Sequence, residues 1–291
     1  MLNFKSSIIE TAQARFSCRV YARTPIDAEK RKQVEDFLRT LPPGPFGSRP
    51  RFDLLAESET DHKSLRGLGT YGFIKDPSAF ILGAMSPSEY DLEDYGYLME
   101  AIILRATELK LGTCWLGGTF TKSSFAKKIN LAENETMPAV TSLGEFVDLG
   151  QKRKGWTSQA AGSAKRLPWE KLFFNTLFGT PLLRNEAGKY DTALEMLRIA
   201  PSASNKQPWR IVKDEQFFHF YLARTPGYRN DIIKRILDLC DLQRVDMGIA
   251  MCHFELAAKE LGLHGKWVVE ENLDKSPNML TEYIVSWEAQ S

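Results

Sequence analysis

The stretch that decides the fold is Asp94–Trp115, DYGYLMEAIILRATELKLGTCW, together with Asp246–Trp267, DMGIAMCHFELAAKELGLHGKW. The second stretch begins 152 residues after the first, and nine of the 22 aligned positions are identical. The identical positions include an aspartate at the start, a glycine two residues later and a tryptophan at the end. Self-similarity at a fixed separation indicates internal duplication.

Both stretches are predicted to be helices. In the first, apolar residues recur three and four positions apart, which is the spacing of one helix face: Tyr95, Leu98, Met99, Ile102, Ile103, Ala106 and Leu109. A matching stripe in the second consists of Val245, Ile249, Cys252 and Leu256. Two amphipathic helices can also look alike by chance, because leucine, alanine and glutamate are common helix residues.

Two further correspondences argue against chance. Leu38, Arg39 and Pro42 match Leu197, Arg198 and Pro201, and Thr24-Pro25 matches Thr180-Pro181, in the same order in both halves. Between the halves lies a Gly-, Ser- and Ala-rich connecting segment, 154–165. We therefore expect two tandem units, residues 1–165 and 166–291.

The strand pattern is weaker than the helix pattern. Five segments are rich in β-forming residues: Phe73–Gly83, Ala139–Val147, Arg210–Val212, Phe217–Leu222 and Tyr283–Trp287. Strands scattered among helices indicate an α+β fold.

Composition excludes several classes of protein. The 291 residues are 43% hydrophobic and 26% charged, which suits a folded chain of two ordinary domains. The formal charge of +1 provides no field that would recruit nucleic acid or an anionic membrane. No apolar run is long enough for a signal peptide or a membrane span. The four cysteines have no paired spacing, so we expect reduced thiols and a cytoplasmic protein.

Two segments carry polar side chains in patterns that suit ligand binding. Arg15, Ser17 and Arg19 alternate, so an extended backbone would place two guanidinium groups and a hydroxyl on one face, where they suit a phosphate. A solvated basic patch is the alternative. The second segment, Ala200–Arg210 (APSASNKQPWR), crowds hydrogen-bonding side chains into a turn before Trp209. Its alternative is an ordinary capped turn with a buried tryptophan.

These segments resemble motifs of the FMN-dependent nitroreductase family. Arg15-Phe-Ser-Cys-Arg19-Val-Tyr21 is similar to the opening motif, and Pro201-Ser-Ala-Ser-Asn205-Lys-Gln207-Pro-Trp209 to the second. Leu111-Gly-Thr-Cys-Trp115-Leu-Gly117-Gly118 resembles the Trp-x-Gly-Gly loop. The resemblance covers almost the whole chain and implies a nitroreductase-like three-layer sandwich.

The resemblance also implies a division of the cofactor site. Members of the family are usually homodimers with FMN at the interface, one subunit supplying the arginine motif and the glycine loop and the other the Pro-Ser-x-x-Asn turn. Here both sets lie in one chain, so the resemblance implies an internal pseudo-dimer that acts as a monomer. It assigns these residues to the cofactor: Arg15, Phe16, Ser17, Arg19, Gly117, Gly118, Lys152, Arg153, Pro201, Ser202, Ala203 and Asn205.

The roles follow the family. Arg15 and Ser17 would hold the phosphate, with Lys152 and Arg153 assisting, and Arg19 would face the pyrimidine edge of the flavin ring. Gly117 and Gly118 would bring backbone close to the flavin N5 region, where a Cβ would not fit. Candidates for covering the flavin face are aromatic: Phe46, Tyr71, Phe120 and Tyr228.

The residues that would form a second FMN site, related to the first by the repeat, are predicted to lack the side chains needed to bind it. In the repeat register, Arg15, Ser17 and Arg19 correspond to Lys171, Phe173 and Asn175. Pro43, Phe46 and Ser48 occupy the places of Ser202, Asn205 and Gln207. Phenylalanine cannot hold a phosphate or offer an amide. We therefore expect one FMN per chain.

The activity implied is ping-pong oxidation and reduction. NAD(P)H would reduce FMN at N5, and a small-molecule electron acceptor such as a nitroaromatic or quinone would then take the electrons, with no catalytic side chain required. A flavin-binding protein without turnover and a relative of reductive dehalogenases are the alternatives.

Two other sequence patterns do not indicate a dinucleotide or metal site. The Gly67–Gly72 segment matches GxGxxG, but a polar segment precedes it and Pro77 follows, so the strand and helix of a dinucleotide fold are missing. The four histidines have no metal-ligand spacing, so no metal is expected.

Overall fold

A computed structural model of the chain describes residues 2–56, 65, 67–118, 120–146, 165–227, 240–271, 273 and 278–290. Its helices are α1 (Ile8–Ala14), α2 (Ala28–Arg39), α3 (Asp91–Glu108), α4 (Lys122–Lys128), α5 (Arg184–Ala187), α6 (Asp191–Ile199) and α7 (Leu242–Glu260). Its strands are β1 (Arg51–Ala56), β2 (Ala79–Ala84), β3 (Gly112–Leu116), β4 (Val140–Gly144), β5 (Phe173–Asn175), β6 (Trp209–Asp214), β7 (Phe217–Ala223), β8 (Gly265–Val268) and β9 (Thr281–Ala289). The α+β class is confirmed.

The two long helices α3 and α7 confirm the helix predictions and pack against each other. A Cβ on Gly96 would lie 2.1 Å from the carbonyl oxygen of Val245, and one on Gly248 would lie 1.9 Å from that of Glu93. Only glycine permits so close a crossing of two helix backbones. The contact is reciprocal, because positions 93 and 96 correspond to 245 and 248 in the repeated stretch.

Two sheets flank these helices. The first has the order β1-β2-β4-β3 and is antiparallel throughout. The second has the order β5-β6-β7-β9-β8, in which only β5 and β6 run parallel. Taken in chain order, β6-β7-β9-β8 repeats the arrangement of the first sheet.

The predicted strands near residues 210, 217 and 283 are confirmed as parts of β6, β7 and β9. The strand predicted at 139–147 is confirmed as β4 over Val140–Gly144, with Val147 outside the described residues. The strand predicted from Phe73 is wrong in its first half, since β2 begins only at Ala79. Phe73 instead closes a turn by donating to the carbonyl of Thr70, and Pro77 has no N–H for a strand ladder.

One predicted correspondence between the halves is wrong. Ser17 forms a parallel bridge with Thr113 of β3, at one edge of the first sheet. Phe173 pairs instead with Ile211 of β6, at the opposite edge of the second sheet. Lys171, Phe173 and Asn175 are therefore not counterparts of the arginine motif, because strand pairing places the two segments at different edges.

The main core joins the inner faces of both sheets to the long helices. On β2, Ala79 and Ile81 belong to this core, whereas Phe80 and Leu82 face a second cluster that includes Phe125 of α4. This alternation explains why every residue of β2 is buried. Within the described ranges, no helix has the length and apolarity needed to cross a membrane.

Candidate functional site

A cavity of about 500 Å³ lies between the N-terminal segment, the end of β3, α7 and the turn before β6. Nine of the twelve residues predicted for the cofactor line it: Arg15, Ser17, Arg19, Gly117, Gly118, Pro201, Ser202, Ala203 and Asn205. Lys152 and Arg153 lie outside the described residues. The structure thus brings the predicted motifs of both halves to one cavity.

The arginine motif reaches the cavity because α1 ends at Ala14 and the chain then runs extended. Arg15 caps the helix with β-region dihedrals, and the backbone N–H of Cys18 donates to the carbonyl of Thr113 at 2.7 Å. Alternation in an extended segment puts residues 15, 17 and 19 on the cavity side. Phe16 is not among the lining residues, and its ring packs edge-on against Phe146 with centroids 5.2 Å apart, so its predicted cofactor contact stays a prediction.

The turn of the second half is held by its own side chains. The Ser202 hydroxyl accepts a hydrogen bond from the N–H of Gln207 at 2.8 Å. The Asn205 amide donates to the carbonyl of Lys165 at 2.8 Å, and the Gln207 side chain accepts from the N–H of Leu167 at 2.7 Å. Ser204 and Asn205 have positive φ angles of 50° and 54°. Such backbone strain is often found at ligand-binding sites.

An aspartate on each long helix anchors one loop. Asp246 Oδ1 accepts from the N–H of Ala203 at 2.8 Å. Asp94, its counterpart in the repeated stretch, accepts from the N–H groups of Phe46 and Ser48 at 2.9 and 2.8 Å. In the predicted register Ala203 corresponds to Gly44, whereas Asp94 accepts from Phe46 and Ser48, so the correspondence of the two loops stays a prediction. In the first-half loop the Phe46 ring stacks on Tyr90, with centroids 4.3 Å apart.

Guanidinium groups dominate the electrostatics of the cavity. The Nε atoms of Arg15 and Arg19 are buried and have no hydrogen-bond acceptor. Arg15 Nε lies 3.8 Å from Glu100 Oε1, and the Arg19 guanidinium lies 4.4 Å from the centroid of the Phe73 ring. Burial raises the pKa of the nearby Cys114 thiol, and Arg19 opposes that shift. Guanidinium groups with an unused Nε donor suit an anionic ligand.

Glu100 lies behind this site and is fully buried. Its Oε2 accepts from the indole N–H of Trp115 at 2.7 Å, and its Oε1 lies 2.9 Å from His253 Nε2 on α7. Because Arg15 and Trp115 both line the cavity, one carboxylate supports two of its walls.

Sequence reasoning missed Arg166, which also lines the cavity. Its guanidinium donates to the carbonyl of Ile199 at 2.8 and 3.1 Å and to the Asn205 side chain at 2.9 Å. Burial, and then the neighbouring charge of Arg15, lower its pKa to about 10. At neutral pH two cations therefore meet here. No sequence signal marked Arg166, since it directly follows the connecting segment.

Residues 7–258 match the sequence model of a protein family described as "Putative TM nitroreductase". The chain belongs to this nitroreductase family. No curated protein matches it significantly.

One solved structure shares the fold over nearly the whole chain. A "putative nitroreductase" of Thermotoga maritima superposes with a TM-score of 0.60 at 17% identity, covering 98% of this chain and 95% of that one. A nitroreductase with bound FMN from Bacteroides fragilis matches with a TM-score of 0.38 at 19% identity, over 50% of this chain and 91% of its own. A nitroreductase family protein from Clostridium difficile gives 0.41 at 20%, over 57% and 96%.

In this member of the family, Gly117 has a packing role that the motif did not indicate. A Cβ there would lie 2.5 Å from Leu242 at the start of α7. The glycine therefore leaves room for the Leu242 side chain beside the end of β3. Gly112, in the same motif, is the first residue of β3, so the predicted loop is a strand up to Leu116.

Three of the four aromatic residues suggested for the flavin face do not line the cavity. Phe120 packs on Phe125 in the second hydrophobic cluster, and Phe46 packs on Tyr90. Tyr71 is 75% exposed. Tyr228 lies outside the described residues. Phe73 and Trp115 line the cavity instead.

Proposed function

We propose that the protein is an FMN-dependent NAD(P)H oxidoreductase of the nitroreductase type, which reduces a nitroaromatic, a quinone or a related small acceptor. The observation that carries this proposal is the junction of the arginine motif and the Pro201–Asn205 turn in one cavity. Family membership supports a redox function. The cavity, at about 500 Å³, falls within the range of about 300–1,000 Å³ typical of ligand pockets.

The lining residues fit FMN chemically. Arg15, Ser17 and Arg166 would offer charged and hydroxyl donors to the phosphate, and Arg166 would add to the role that the resemblance assigned to Lys152 and Arg153. Arg19 would face the ring and stabilise negative charge on it, since its buried Nε lacks an acceptor. The turn residues Pro201–Ala203 would complete the cofactor site.

Bound FMN would supply electron transfer between a nicotinamide donor and the acceptor. The chain's own residues would bind and orient the cofactor and shield it from water. Val245 and Ile249 of α7 and the Trp115 side chain give the cavity apolar lining that would keep water away from the reacting atoms. No protein nucleophile is needed for this chemistry.

We further propose that residues 1–165 and 166–291 form an internal pseudo-dimer. The shared strand order and the reciprocal contacts of Gly96 and Gly248 support a two-fold relation. A two-fold relation would place a second FMN site beside Phe46 and β8. There Phe46 is stacked on Tyr90, and among the described residues no arginine segment pairs with β8. We therefore propose one FMN per chain and a monomer in solution. The free state of all four cysteines supports a cytoplasmic location.

The decisive experiment measures FMN content per polypeptide together with native mass. One flavin per monomer supports the proposal, and failure of the purified protein to bind added FMN refutes it. Stopped-flow mixing with NADH and with NADPH then separates an enzyme from a binding protein, because only an enzyme bleaches the flavin band within seconds.

A matched pair of variants tests the site itself. Arg19→Ala should weaken FMN binding about tenfold or more, the value of a hydrogen bond from a charged group. Asn175→Ala, in β5 at the edge of the second sheet, should leave the affinity unchanged. Equal affinities in both variants would remove Arg19 from the site.

A further inference from the structure

Asp94 and Asp246 occupy equivalent positions on the two long helices, but their carboxyl groups have different partners. Both oxygens of Asp94 accept a backbone N–H, from Phe46 and Ser48. Asp246 accepts one, from Ala203, and its Oδ2 is buried without a hydrogen-bond partner. Asp246 lines the cavity and is 2% exposed. The difference between the two residues therefore coincides with the candidate site.

An ionised carboxylate is poorly accommodated at this position. A buried oxygen that carries charge without a donor costs several kcal/mol. Burial raises the pKa of Asp246 well above its usual range, and the charge of Asp241 raises it further, against the single N–H of Ala203. Burial raises the pKa of Asp94 as well, but there the N–H groups of Phe46 and Ser48 oppose the shift.

We propose that Asp246 is a neutral carboxylic acid whose Oδ2 hydroxyl donates a hydrogen bond to an acceptor atom of the bound flavin ring. This inference rests on the proposed function, since it takes FMN as the occupant of the cavity. The flavin ring carries carbonyl oxygens and unprotonated nitrogens, which accept hydrogen bonds. A protonated carboxyl donates through one oxygen while the other still accepts from Ala203. Asp246 thus holds the turn and contacts the ligand at once.

Asparagine should therefore preserve the hydrogen bonds of Asp246 but not those of Asp94. In Asp246→Asn the amide oxygen can accept from Ala203 and the amide N–H can replace the hydroxyl donor. Asp246→Ala removes both bonds. In Asp94→Asn one amide N–H would have to face a backbone N–H of the loop, because both oxygens of Asp94 act as acceptors.

FMN titrations of these variants provide the first test. Asp246→Ala should bind FMN about tenfold more weakly, and Asp246→Asn should recover the wild-type affinity to within about threefold. Asp94→Asn should melt at a lower temperature while its folded form binds FMN normally. An Asp246→Asn variant as weak as Asp246→Ala would overturn the proposal, because the site would then need a carboxylate.

Infrared difference spectroscopy detects whether the Asp246 carboxyl group is protonated. Subtracting the spectrum of ligand-free Asp246→Asn from that of the ligand-free wild type at pH 7 should reveal the C=O band of a protonated carboxyl. FMN should shift this band to lower frequency. Absence of the band, or no shift with FMN, overturns the donor role. A wild-type protein that binds no FMN overturns the proposed function and the donor role together, whereas weak binding by Asp246→Asn alone overturns only the latter.

Discussion

Replacing Glu100 by glutamine should lower the thermal stability of the protein, and added inorganic phosphate should restore part of it. The side chain is fully buried and connects Arg15 and Trp115 of the cavity to His253 of α7. Glutamine has nearly the same size, so the packing remains, and its one oxygen can still accept from Trp115. The negative charge opposite Arg15 is lost.

The distance between Arg15 and Glu100 gives the size of the expected loss of stability. At 3.8 Å and an effective dielectric constant of about 20, the attraction between Arg15 and Glu100 is roughly 4 kcal/mol. Removing one partner of a buried pair costs about 3–5 kcal/mol. We expect a loss of about 3 kcal/mol, which lowers Tm by roughly 6–12 °C in a protein of this size. Arg15 and Arg166 then repel each other without compensation, so an added anion should stabilise the variant more than the wild type.

The assay is thermal unfolding of the flavin-free protein with increasing inorganic phosphate. Glu255→Gln is the matched control, because Glu255 accepts from the Trp267 indole at 2.7 Å and is not part of the cavity lining. Phosphate should raise the Tm of Glu100→Gln by more degrees than that of the wild type or of the control. Equal gains in the two variants would refute the charge balance inferred for Arg15.

Three further predictions concern the fold. Gly248→Ala should lower the free energy of unfolding by about 1–3 kcal/mol, measured with urea, because its Cβ would lie 1.9 Å from a carbonyl of α3; an unchanged midpoint would contradict the tight crossing. Arg51 lowers the pKa of Glu135 to about 2, so this pair contributes stability above pH 4.5 that is lost as pH falls towards 2. Glu135→Gln should therefore flatten the pH dependence of unfolding between those values, and a slope equal to the wild type would argue against the pair. Asp27→Ala should cost about 1 kcal/mol, because its carboxylate accepts from the N–H groups of Glu29 and Lys30 at the start of α2, whereas Asp27→Asn should melt close to the wild type.

Much of the fold could be predicted from local pattern. The stripe of apolar residues specifies α3 and α7, since helical spacing is a property of neighbouring residues. The repeat matched Gly96 to Gly248 without giving a reason for glycine at either position. The structure adds the reason, which is the approach of a partner backbone to within contact of each glycine.

The candidate site could be predicted in part. Alternation placed Arg15, Ser17 and Arg19 on one face, and the structure keeps them together in the cavity. Between them, the Phe16 ring packs against Phe146. A correspondence based on short matches failed for Phe173, because strand pairing with β6 depends on residues far away in the chain.

By itself, the sequence determined the two long helices, the extended arginine motif and the rigid turn at Pro201. Each of these depends on neighbouring residues: spacing, β-alternation and the fixed φ of proline. Only the tertiary structure decided that Arg166 joins Arg15, that β5 lies on the far edge of the second sheet, and that Asp246 has one donor where Asp94 has two. Those features depend on burial and on long-range contacts, which determine the charge a side chain can carry and the partners it can reach.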